Sequence, residues 1–295
     1  MVEMTMLIDT HVHFWELKRG DYFWLKPSNR TLYRDFTIDD WHRQPDTTQV
    51  AGCIAVQAAP TIAETHYLLA LAEKHDKIVG VVGYLDLHAA DFERQYERLR
   101  QHERFAGIRY TLNGSDTSSW EPDARLKQHL RRLEADQFPV DVLMKPANIP
   151  YLVNLLQIAP KLNVACNHLG SPVLTEQVHP DWSRGMAMLA TYPNVMCKLS
   201  GMVTQMAAGN KGKEIVKDHV RQLMKRFGTR RLLFGSDWPV LLMRSSYEEM
   251  LKLFREVIGT SISQPQMDEM QYGNASRFYG LKRASLEAGG CDSGV

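Results

Sequence analysis

Short apolar runs alternate with longer amphipathic stretches along most of the chain. The apolar runs have the length of buried strands, and the stretches between them carry apolar side chains at helical spacing, as at Tyr67, Leu68, Leu71 and Ala72. This pattern predicts eight strands, at 7–13, 50–58, 78–85, 106–110, 139–144, 163–168, 194–201 with its loop, and 231–239 with its loop. It predicts helices at 61–74, 89–101, 123–135, 149–159, 182–191, 213–227, 246–258 and 264–279.

Apolar strands separated by helices indicate a parallel sheet with helices packed outside it. Eight such units over ~250 residues are typical of a (β/α)8 TIM barrel. An open doubly wound sheet is the alternative, but no Gly-x-Gly-x-x-Gly follows the first strand. We therefore predict one barrel domain over 1–280 and a flexible tail rich in Gly, Ser and Ala over 281–295. Thr61 and Glu64 have the spacing of a capping box at a helix start.

The first predicted strand ends in His11-Val12-His13. Side chains alternate between the faces of a strand, so both imidazoles should point the same way, close enough to share a metal ion or a substrate oxygen. His-x-His alone is a weak signal. Because a barrel has its active site at the carboxyl ends of its strands, polar groups at the other strand ends are also candidates. They are Gln57, Tyr84, Arg109, Lys145, His168, Lys198 and Asp237.

Composition limits the class of partner. The 295 residues carry 35 Lys and Arg against 34 Asp and Glu, a net charge of +1, so no strong field attracts nucleic acid or an anionic membrane. We expect a small-molecule partner and leave a homo-oligomer open. Cys53, Cys166 and Cys197 lie in apolar runs and Cys291 stands apart, which suits reduced thiols. With no apolar run of the ~20 residues that a membrane span needs, the prediction is a cytoplasmic protein.

The candidate residues suit the opening of an ester. That reaction needs an activated water, a group that polarises the carbonyl and a group that holds charge on the tetrahedral oxygen. Asp237 can accept the proton of the water. His11, His13 and His168 can bind one divalent ion with Asp237, zinc being the natural choice, or can donate hydrogen bonds without any metal. Both alternatives stay open at this point. No Ser or Cys stands in a nucleophile elbow.

Other residues at the strand ends and loops are candidates for substrate binding. Arg109 has the fork-shaped guanidinium that suits the carboxylate of a hydroxy acid, although a structural ion pair is the alternative. The long polar segment from Phe14 to Asp40 includes Trp24, whose ring could wall a pocket for a sugar-like ring or only pack the loop down. The set of predicted substrate contacts is Arg109, Lys145, Gln57, Trp24, Trp238 and Lys198. The eight histidines outside the strand ends are expected at the surface.

Seven segments in order, covering nearly the whole chain, resemble the amidohydrolase superfamily, and within it the branch of sugar-lactone and dicarboxylate lactonases. They are Asp9-Thr10-His11-Val12-His13-Phe14-Trp15, Val82-Gly83-Tyr84-Leu85-Asp86, Gly107-Ile108-Arg109, Asn167-His168-Leu169-Gly170, Cys197-Lys198-Leu199-Ser200-Gly201, Phe234-Gly235-Ser236-Asp237-Trp238-Pro239 and Asn274-Ala275-Ser276-Arg277-Phe278-Tyr279.

The resemblance implies that His11 and His13 end the first barrel strand, His168 a later one and Asp237 the eighth. It also implies that Asp237 is the general base for water and then carries the proton to the leaving oxygen. The chain departs from the family pattern twice. Tyr110 stands where relatives often have His, and Asn167 where they often have Asp.

The resulting hypothesis is hydrolysis of an aldonolactone, such as one derived from L-fucose or L-rhamnose, to the open hydroxy acid. A 2-pyrone-4,6-dicarboxylate lactonase is one alternative, but a dicarboxylate calls for several arginines and the strand ends offer Arg109 with two lysines. A metal-dependent decarboxylase of an aromatic acid, from the same superfamily, is another. A barrel that binds sugar acids without catalysis is a third.

Overall fold

The computed structural model describes residues 6–44, 50–112, 121–259 and 262–281. Within them, eight parallel strands follow one another in chain order, each hydrogen-bonded to the next, which confirms the predicted (β/α)8 barrel. The strands are β1 (Leu7–Val12), β2 (Val50–Val56), β3 (Ile78–Gly83), β4 (Phe105–Leu112), β5 (Val140–Met144), β6 (Val164–Cys166), β7 (Val195–Leu199) and β8 (Leu232–Phe234).

Contacts between the first and last strands bring the sheet close to a closed barrel. The Thr10 hydroxyl donates to the carbonyl oxygen of Phe234 over 2.5 Å, and the backbone amide of Ser236 donates to Asp9 Oδ1 over 2.8 Å. Farther along, the amide of Asp237 donates to the carbonyl oxygen of His11 over 2.9 Å. These bonds join the ends of β1 and β8, where the sequence places its candidate chemistry.

Helices cover the outside of the sheet and follow the predicted order. They are α1 (Ile38–His42), α2 (Ile62–Lys74), α3 (Phe92–Leu99), α4 (Ala124–Ala135), α5 (Ile149–Ile158), α6 (Pro180–Ala190), α7 (Met202–Gln205), α8 (Gly209–Phe227), α9 (Tyr247–Ile258), α10 (Gln264–Asp268) and α11 (Asn274–Phe278), with a π-helical turn at Glu269–Gly273. Local signals fix several ends. Ser246 and Glu249 form a capping box at the start of α9, and Gly259, with φ of 67°, ends that helix in a conformation that favours glycine.

Two apolar layers make up the core. The larger one lies between the sheet and the helices, and the smaller one fills the barrel with side chains from the inner face of the strands, such as Ile54, Val82 and Leu233. Ala275 and Tyr279 belong to the inner layer. Because Asn274 Nδ2 donates to the carbonyl oxygen of Leu232, the first residue of β8, α11 lies at the amino end of the barrel, opposite the candidate site.

Smaller predictions have mixed outcomes. Cys53, Cys166 and Cys197 are buried free thiols, as expected, while Cys291 and most of the predicted tail lie outside the described residues. The capping box at α2 is only half formed. The Thr61 hydroxyl accepts from the amide of Glu64, but the Glu64 carboxylate turns away to the amide of Ala58 and the hydroxyl of Tyr22. None of the described helices combines the length and apolar character needed to cross a bilayer.

Candidate active site

A bulge near the end of β1 aims its two histidines. Asp9 pairs with Cys53 and Val12 pairs with Ala55, so three residue steps on β1 span the same length of sheet as two steps on β2. Such an insertion re-aims the side chains beyond it. Ile8 packs in the inner layer, and His11, three residues later, faces the polar end of the same interior. Strict alternation would place these two residues on opposite faces.

The segment after β8 brings in the carboxylate. Asp237 is 5% exposed and adopts a left-handed φ of 64°, which Asp tolerates better than most side chains. Its backbone amide donates to His11, and the amide of His13 donates to the carbonyl oxygen of Trp238 over 2.8 Å. The two segments therefore fix each other, and the Asp237 carboxylate lies over the pair of imidazoles.

One donor atom from each of His11, His13 and Asp237 lies within 4.8 Å of the others. Asp237 Oδ1 is 3.4 Å from His13 Nε2 and 3.7 Å from His11 Nε2. His13 Nδ1 is 2.7 Å from the carbonyl oxygen of Val56. A carbonyl only accepts, so the proton of His13 is on Nδ1 and the lone pair of Nε2 points to the carboxylate side.

His168 completes the cluster from the end of β6. Its ring centroid is 4.6 Å from that of His11, and its Nδ1 is 2.9 Å from Ser200 Oγ, at the end of β7. Gly201 allows this approach, because a Cβ at that position would lie 2.8 Å from His168 Nδ1. Burial, helped by the positive charges of Arg109 and Lys198, lowers the pKa of His168 to about 4 against the pull of Asp237. The imidazole is therefore neutral at neutral pH.

The residues present fit a metal ion. Both ring nitrogens of His11 are buried and have no hydrogen-bond partner among the described residues. Leaving such atoms unpaired carries a desolvation cost that a bound cation would remove. Burial, followed by the charge of Lys198, holds the pKa of His11 well below its usual value, so its lone pair is available. Two imidazole nitrogens and one carboxylate oxygen make a donor set that suits zinc, with a further position for water or substrate.

His13, His168 and Asp237 form the floor of a cavity of about 680 Å³, and His11 lies buried behind them. This volume is in the range of small-molecule sites. His13, His168 and Asp237 line it together with Gln57, Arg109 and Trp24. Arg109 reaches in from β4, where its Nη1 donates to the carbonyl oxygen of Gln57 over 3.0 Å while its Nε has no partner among the described residues. Burial lowers the pKa of the guanidinium, and the carboxylates of Asp237 and Asp141 oppose that change.

The residues that line the rest of the cavity form two sets, which we call the apolar wall and the polar wall. Phe23 and Trp24, from the segment between β1 and α1, form the apolar wall with Pro60. The indole of Trp24 is fixed by a 2.8 Å hydrogen bond from Nε1 to the carbonyl oxygen of Ala58. The polar wall comes from the ends of β3 and β4 and includes Tyr84, Asp86, Tyr110 and Thr111.

The model of the amidohydrolase family matches residues 8–281. The chain belongs to that family. Among its relatives are two L-fucono-1,5-lactonases. The enzyme of Burkholderia ambifaria is 30% identical over 285 residues, covering 96% of this chain and 98% of its own, and that of Burkholderia multivorans is 31% identical over 286 residues, covering 93% and 96%. A crystal structure of an amidohydrolase from Burkholderia multivorans with bound zinc has a TM-score of 0.87 at 30% identity, covering 94% of this chain and all of that one.

Three predicted substrate contacts of this amidohydrolase lie outside the lining of the cavity. Lys145 is exposed, because Pro146 starts a 3-10 turn directly after β5 and turns the chain away. Lys198 is fully buried inside the barrel, where its Nζ contacts Asp141 Oδ2 at 2.5 Å and the carbonyl oxygen of Thr10 at 2.6 Å. Trp238 is fully buried against Phe14 and Phe36.

Sequence reasoning missed several residues that hold the site in place. Asp9 is fully buried and accepts from the Ser236 amide and, over 2.9 Å, from the Tyr247 hydroxyl, and burial raises its pKa to about 6. Ser200 binds His168, and Asp141 pairs with Lys198. An ionisable residue inside an apolar strand run, as Asp9 and Asp141 are, is the signal that could have found two of them.

The expectation that the remaining histidines lie at the surface is wrong for two members. His129 and His219 are buried and are satisfied by carbonyl oxygens, through Nδ1 contacts of 2.8 Å to Leu87 and 2.8 Å to Ile215 respectively. Both stand on the inner faces of amphipathic helices, where an imidazole with one backbone partner is tolerated.

Proposed function

We propose that this protein hydrolyses the ring ester of an aldonolactone to the open-chain hydroxy acid. The observation that carries the proposal is the buried cluster of His11, His13 and Asp237, of which His13 and Asp237 line a cavity with one polar and one apolar wall. The relatives named L-fucono-1,5-lactonase align with it over nearly their whole length and support a lactone as substrate.

The reaction adds one water across the ring ester. Asp237 accepts a proton as the oxygen of that water bonds to the carbonyl carbon, and a tetrahedral species results. The bond from that carbon to the ring oxygen then breaks, and Asp237 returns the proton to the leaving oxygen as it becomes a hydroxyl. The product is a hydroxy acid, which ionises at neutral pH and releases one proton to solution.

His11, His13 and Asp237 are the residues that would hold a divalent ion such as zinc. When bound, the ion would supply Lewis-acid chemistry to the carbonyl or the water. His168, neutral and oriented by Ser200, lies beside them and can donate or accept one hydrogen bond at the reacting group. Asp237 Oδ1 lies 3.7 Å from His11 Nε2 and 3.4 Å from His13 Nε2, so the carboxylate is close to both imidazoles.

The charges of the cavity favour a neutral substrate. Among the described lining residues, Arg109 carries the only permanent positive charge, and Asp86 adds a negative charge to the polar wall. One guanidinium suits the single carboxylate of a hydroxy acid product or the oxygen of the tetrahedral species. A dicarboxylate ring would leave one carboxylate without a cation and close to Asp86, which disfavours it.

The apolar wall suits the less polar face of a sugar-derived ring. Phe23 and Trp24 present apolar surface to the cavity, with 74% and 44% of their area exposed. A bound ring would cover this area while its hydroxyl groups face the polar wall. An aldonolactone has both an apolar face and several hydroxyl groups, so it matches the two walls together.

The experiment that tests the proposal is proton release in a weakly buffered indicator assay, with the products identified by mass spectrometry. The substrates are L-fucono-1,5-lactone, other aldonolactones, 2-pyrone-4,6-dicarboxylate and carboxylated aromatic acids. Turnover of aldonolactones above the others is expected. Preference for the pyrone, or release of carbon dioxide from the aromatic acids, would overturn the proposal in favour of those reactions, and binding of sugar acids without turnover would indicate a non-catalytic role.

A further inference from the structure

Tyr110, on the polar wall of the cavity, is held by a line of hydrogen bonds that the proposed chemistry does not use. Its hydroxyl is 3.3 Å from His88 Nε2, and His88 Nδ1 is 3.1 Å from Asp123 Oδ2. The hydroxyl also forms a hydrogen bond with Tyr151. Three elements meet here, because Tyr110 lies on β4, His88 follows β3 and Asp123 caps α4.

The direction of each hydrogen bond follows from chemistry. The Asp123 carboxylate only accepts when ionised, and its bonds from the Leu126 amide and from His88 lower its pKa. His88 Nδ1 is therefore the donor in its contact with Asp123. Burial raises the pKa of the Tyr110 phenol and keeps it protonated, and its hydrogen bond with Tyr151 raises that pKa further while lowering the pKa of Tyr151, so Tyr110 is the donor in that bond.

One acceptor position of the Tyr110 hydroxyl remains for a ligand. A phenol oxygen donates once and accepts twice. Its proton goes to Tyr151 and His88 Nε2 faces one acceptor position, so among the described residues the other acceptor position stays available on the side that lines the cavity. Tyr110 thus offers a bound molecule a lone pair and no proton.

We propose that Tyr110 determines substrate specificity by accepting a hydrogen bond from a ring hydroxyl of the lactone, and that His88 and Asp123 position it for this role. This inference rests on the proposed function and names the substrate class more closely, as a lactone that carries hydroxyl donors. An ionised pyrone dicarboxylate offers only acceptors, so its oxygens would meet the lone pair of Tyr110 unpaired.

The test compares two lactones of the same ring size with wild type and Tyr110→Phe at one fixed pH. L-fucono-1,5-lactone carries ring hydroxyls, and δ-valerolactone has the same ester without them. We expect the variant to lose about tenfold in kcat/KM on the hydroxylated lactone, the fold-change of one neutral hydrogen bond. The rate on δ-valerolactone should stay within about twofold, so the ratio of the two substrates falls.

Two further variants separate positioning from a general defect. His88→Phe removes the imidazole beside the phenol oxygen and should lower the same ratio by a smaller factor. Asp123→Asn keeps an acceptor oxygen for His88 and should keep most of the wild-type ratio. Tyr192→Phe is the matched control, because Tyr192 precedes β7 and lies at the opposite end of the barrel. Thermal unfolding of each variant checks that the fold is intact.

The outcomes distinguish this inference from the proposed function. An equal loss on both lactones, or no loss on either, would overturn the role of Tyr110 and leave lactone hydrolysis standing. Should wild type hydrolyse neither lactone, the proposed function fails. Calorimetric binding of L-fucono-1,5-lactam against δ-valerolactam then decides the inference alone. Preference for the hydroxylated lactam that Tyr110→Phe abolishes supports it, and an unchanged preference overturns it.

Discussion

His13 shows how one backbone contact can decide the chemistry of a side chain. The carbonyl oxygen of Val56, the last residue of β2, fixes the proton of His13 on Nδ1 and leaves Nε2 facing Asp237. This is the arrangement in which a histidine ligand has its second nitrogen held by the protein. His11 has no such partner among the described residues, so a bound ligand would have to supply the hydrogen bond or coordination bond to its ring nitrogens.

Zinc binding should therefore depend on this pair of imidazoles. We expect wild type to take up about one zinc ion per chain after dialysis against zinc and removal of the excess, and His13→Gln to bind at least about tenfold more weakly, a loss typical of metal-site variants. His179→Gln is the matched control, because His179 is exposed at the start of α6. Metal analysis and competition with a chelator measure both. Equal zinc affinity in wild type and His13→Gln would contradict the assignment.

The direction of a side chain at a strand end is what the sequence predicts least well. His11, His13 and Asp237 were expected together and lie together, while His168, expected as a fourth ligand, lies beside the ring of His11 and is not part of that group. The same reasoning placed Lys198 in the substrate site, yet it points into the barrel interior and pairs with Asp141. Strand alternation depends on where a bulge falls and where the chain leaves the sheet, and neither has a clear signal in the residues themselves.

Among the elements, the segment between β1 and α1 is attached to α2 through a buried carboxylate. Glu64 accepts from the Tyr22 hydroxyl over 2.7 Å and from the Ala58 amide over 3.0 Å, and its Oε2 is 3.3 Å from Arg19. Phe23 and Trp24 of the apolar wall belong to this segment. Burial raises the pKa of Glu64 from 4.5 to about 7, although these hydrogen bonds and the charge of Arg19 oppose that change.

Stability should fall with rising pH because of Glu64. A carboxyl whose folded pKa is raised favours the folded state below its unfolded pKa of 4.5, and this contribution is lost as the pH rises to about 7. The full loss is about 3 kcal/mol at roughly 1.4 kcal/mol per unit of pKa. Glu64→Gln cannot ionise at this position. The free energy of unfolding of the variant minus that of wild type should therefore increase between about pH 5 and pH 8.

Urea unfolding of both proteins at the two pH values measures this gain. Glu176→Gln, at an exposed position with no ion pair among the described residues, is the control and should keep the pH dependence of wild type. A constant difference between Glu64→Gln and wild type across the range would show that the ionisation of Glu64 does not couple to folding.

A second buried network joins three strands and the last helix inside the barrel. Lys198 on β7 contacts Asp141 on β5 and the carbonyl oxygen of Thr10 on β1, and Tyr279, after α11, donates to Asp141 Oδ1 over 2.7 Å. Thr10 precedes His11, so the network also supports the strand that carries the site. Lys198 and Asp141 are both fully buried, and burial lowers the pKa of Lys198 while Asp141 opposes the change.

Removing one charge of the Lys198–Asp141 pair should lower the free energy of unfolding more than removing both charges. Lys198→Met leaves a buried carboxylate unpaired and should lower the free energy of unfolding by about 3–5 kcal/mol. Adding Asp141→Leu should recover a large part of that loss. The exposed pair of Lys217 and Glu214 on α8 is the control, where Lys217→Met should cost less than about 1 kcal/mol. A double variant no more stable than Lys198→Met alone would contradict this account of the pair.

For the whole molecule, the order of short apolar runs and amphipathic helices was enough to predict the barrel. Six of the strands are buried along their whole length, so they stand out as apolar runs, and the capping signal at Ser246 marks a helix start directly. The end of the chain was harder to predict. One helix was predicted over 264–279, and the chain is helical without a break from Gln264 to Phe278, but the π-helical turn at Glu269–Gly273 between α10 and α11 was not predicted.

Closure of the barrel makes the site. Asp237 is far from His11 in sequence, but the last strand lies beside the first and the amide of Asp237 donates to the carbonyl oxygen of His11. A site shared between the first and last strands requires the whole fold.

The most direct test of the central claim is the rate of proton release from L-fucono-1,5-lactone by wild type and by Asp237→Asn. The account predicts turnover by wild type and a loss of at least about a hundredfold in the variant, the scale of a lost general base. Asp218→Asn, at an exposed position on α8, should keep the wild-type rate. Asp237→Asn that hydrolyses the lactone as fast as wild type, while folded, would contradict the claim that this carboxylate activates the water.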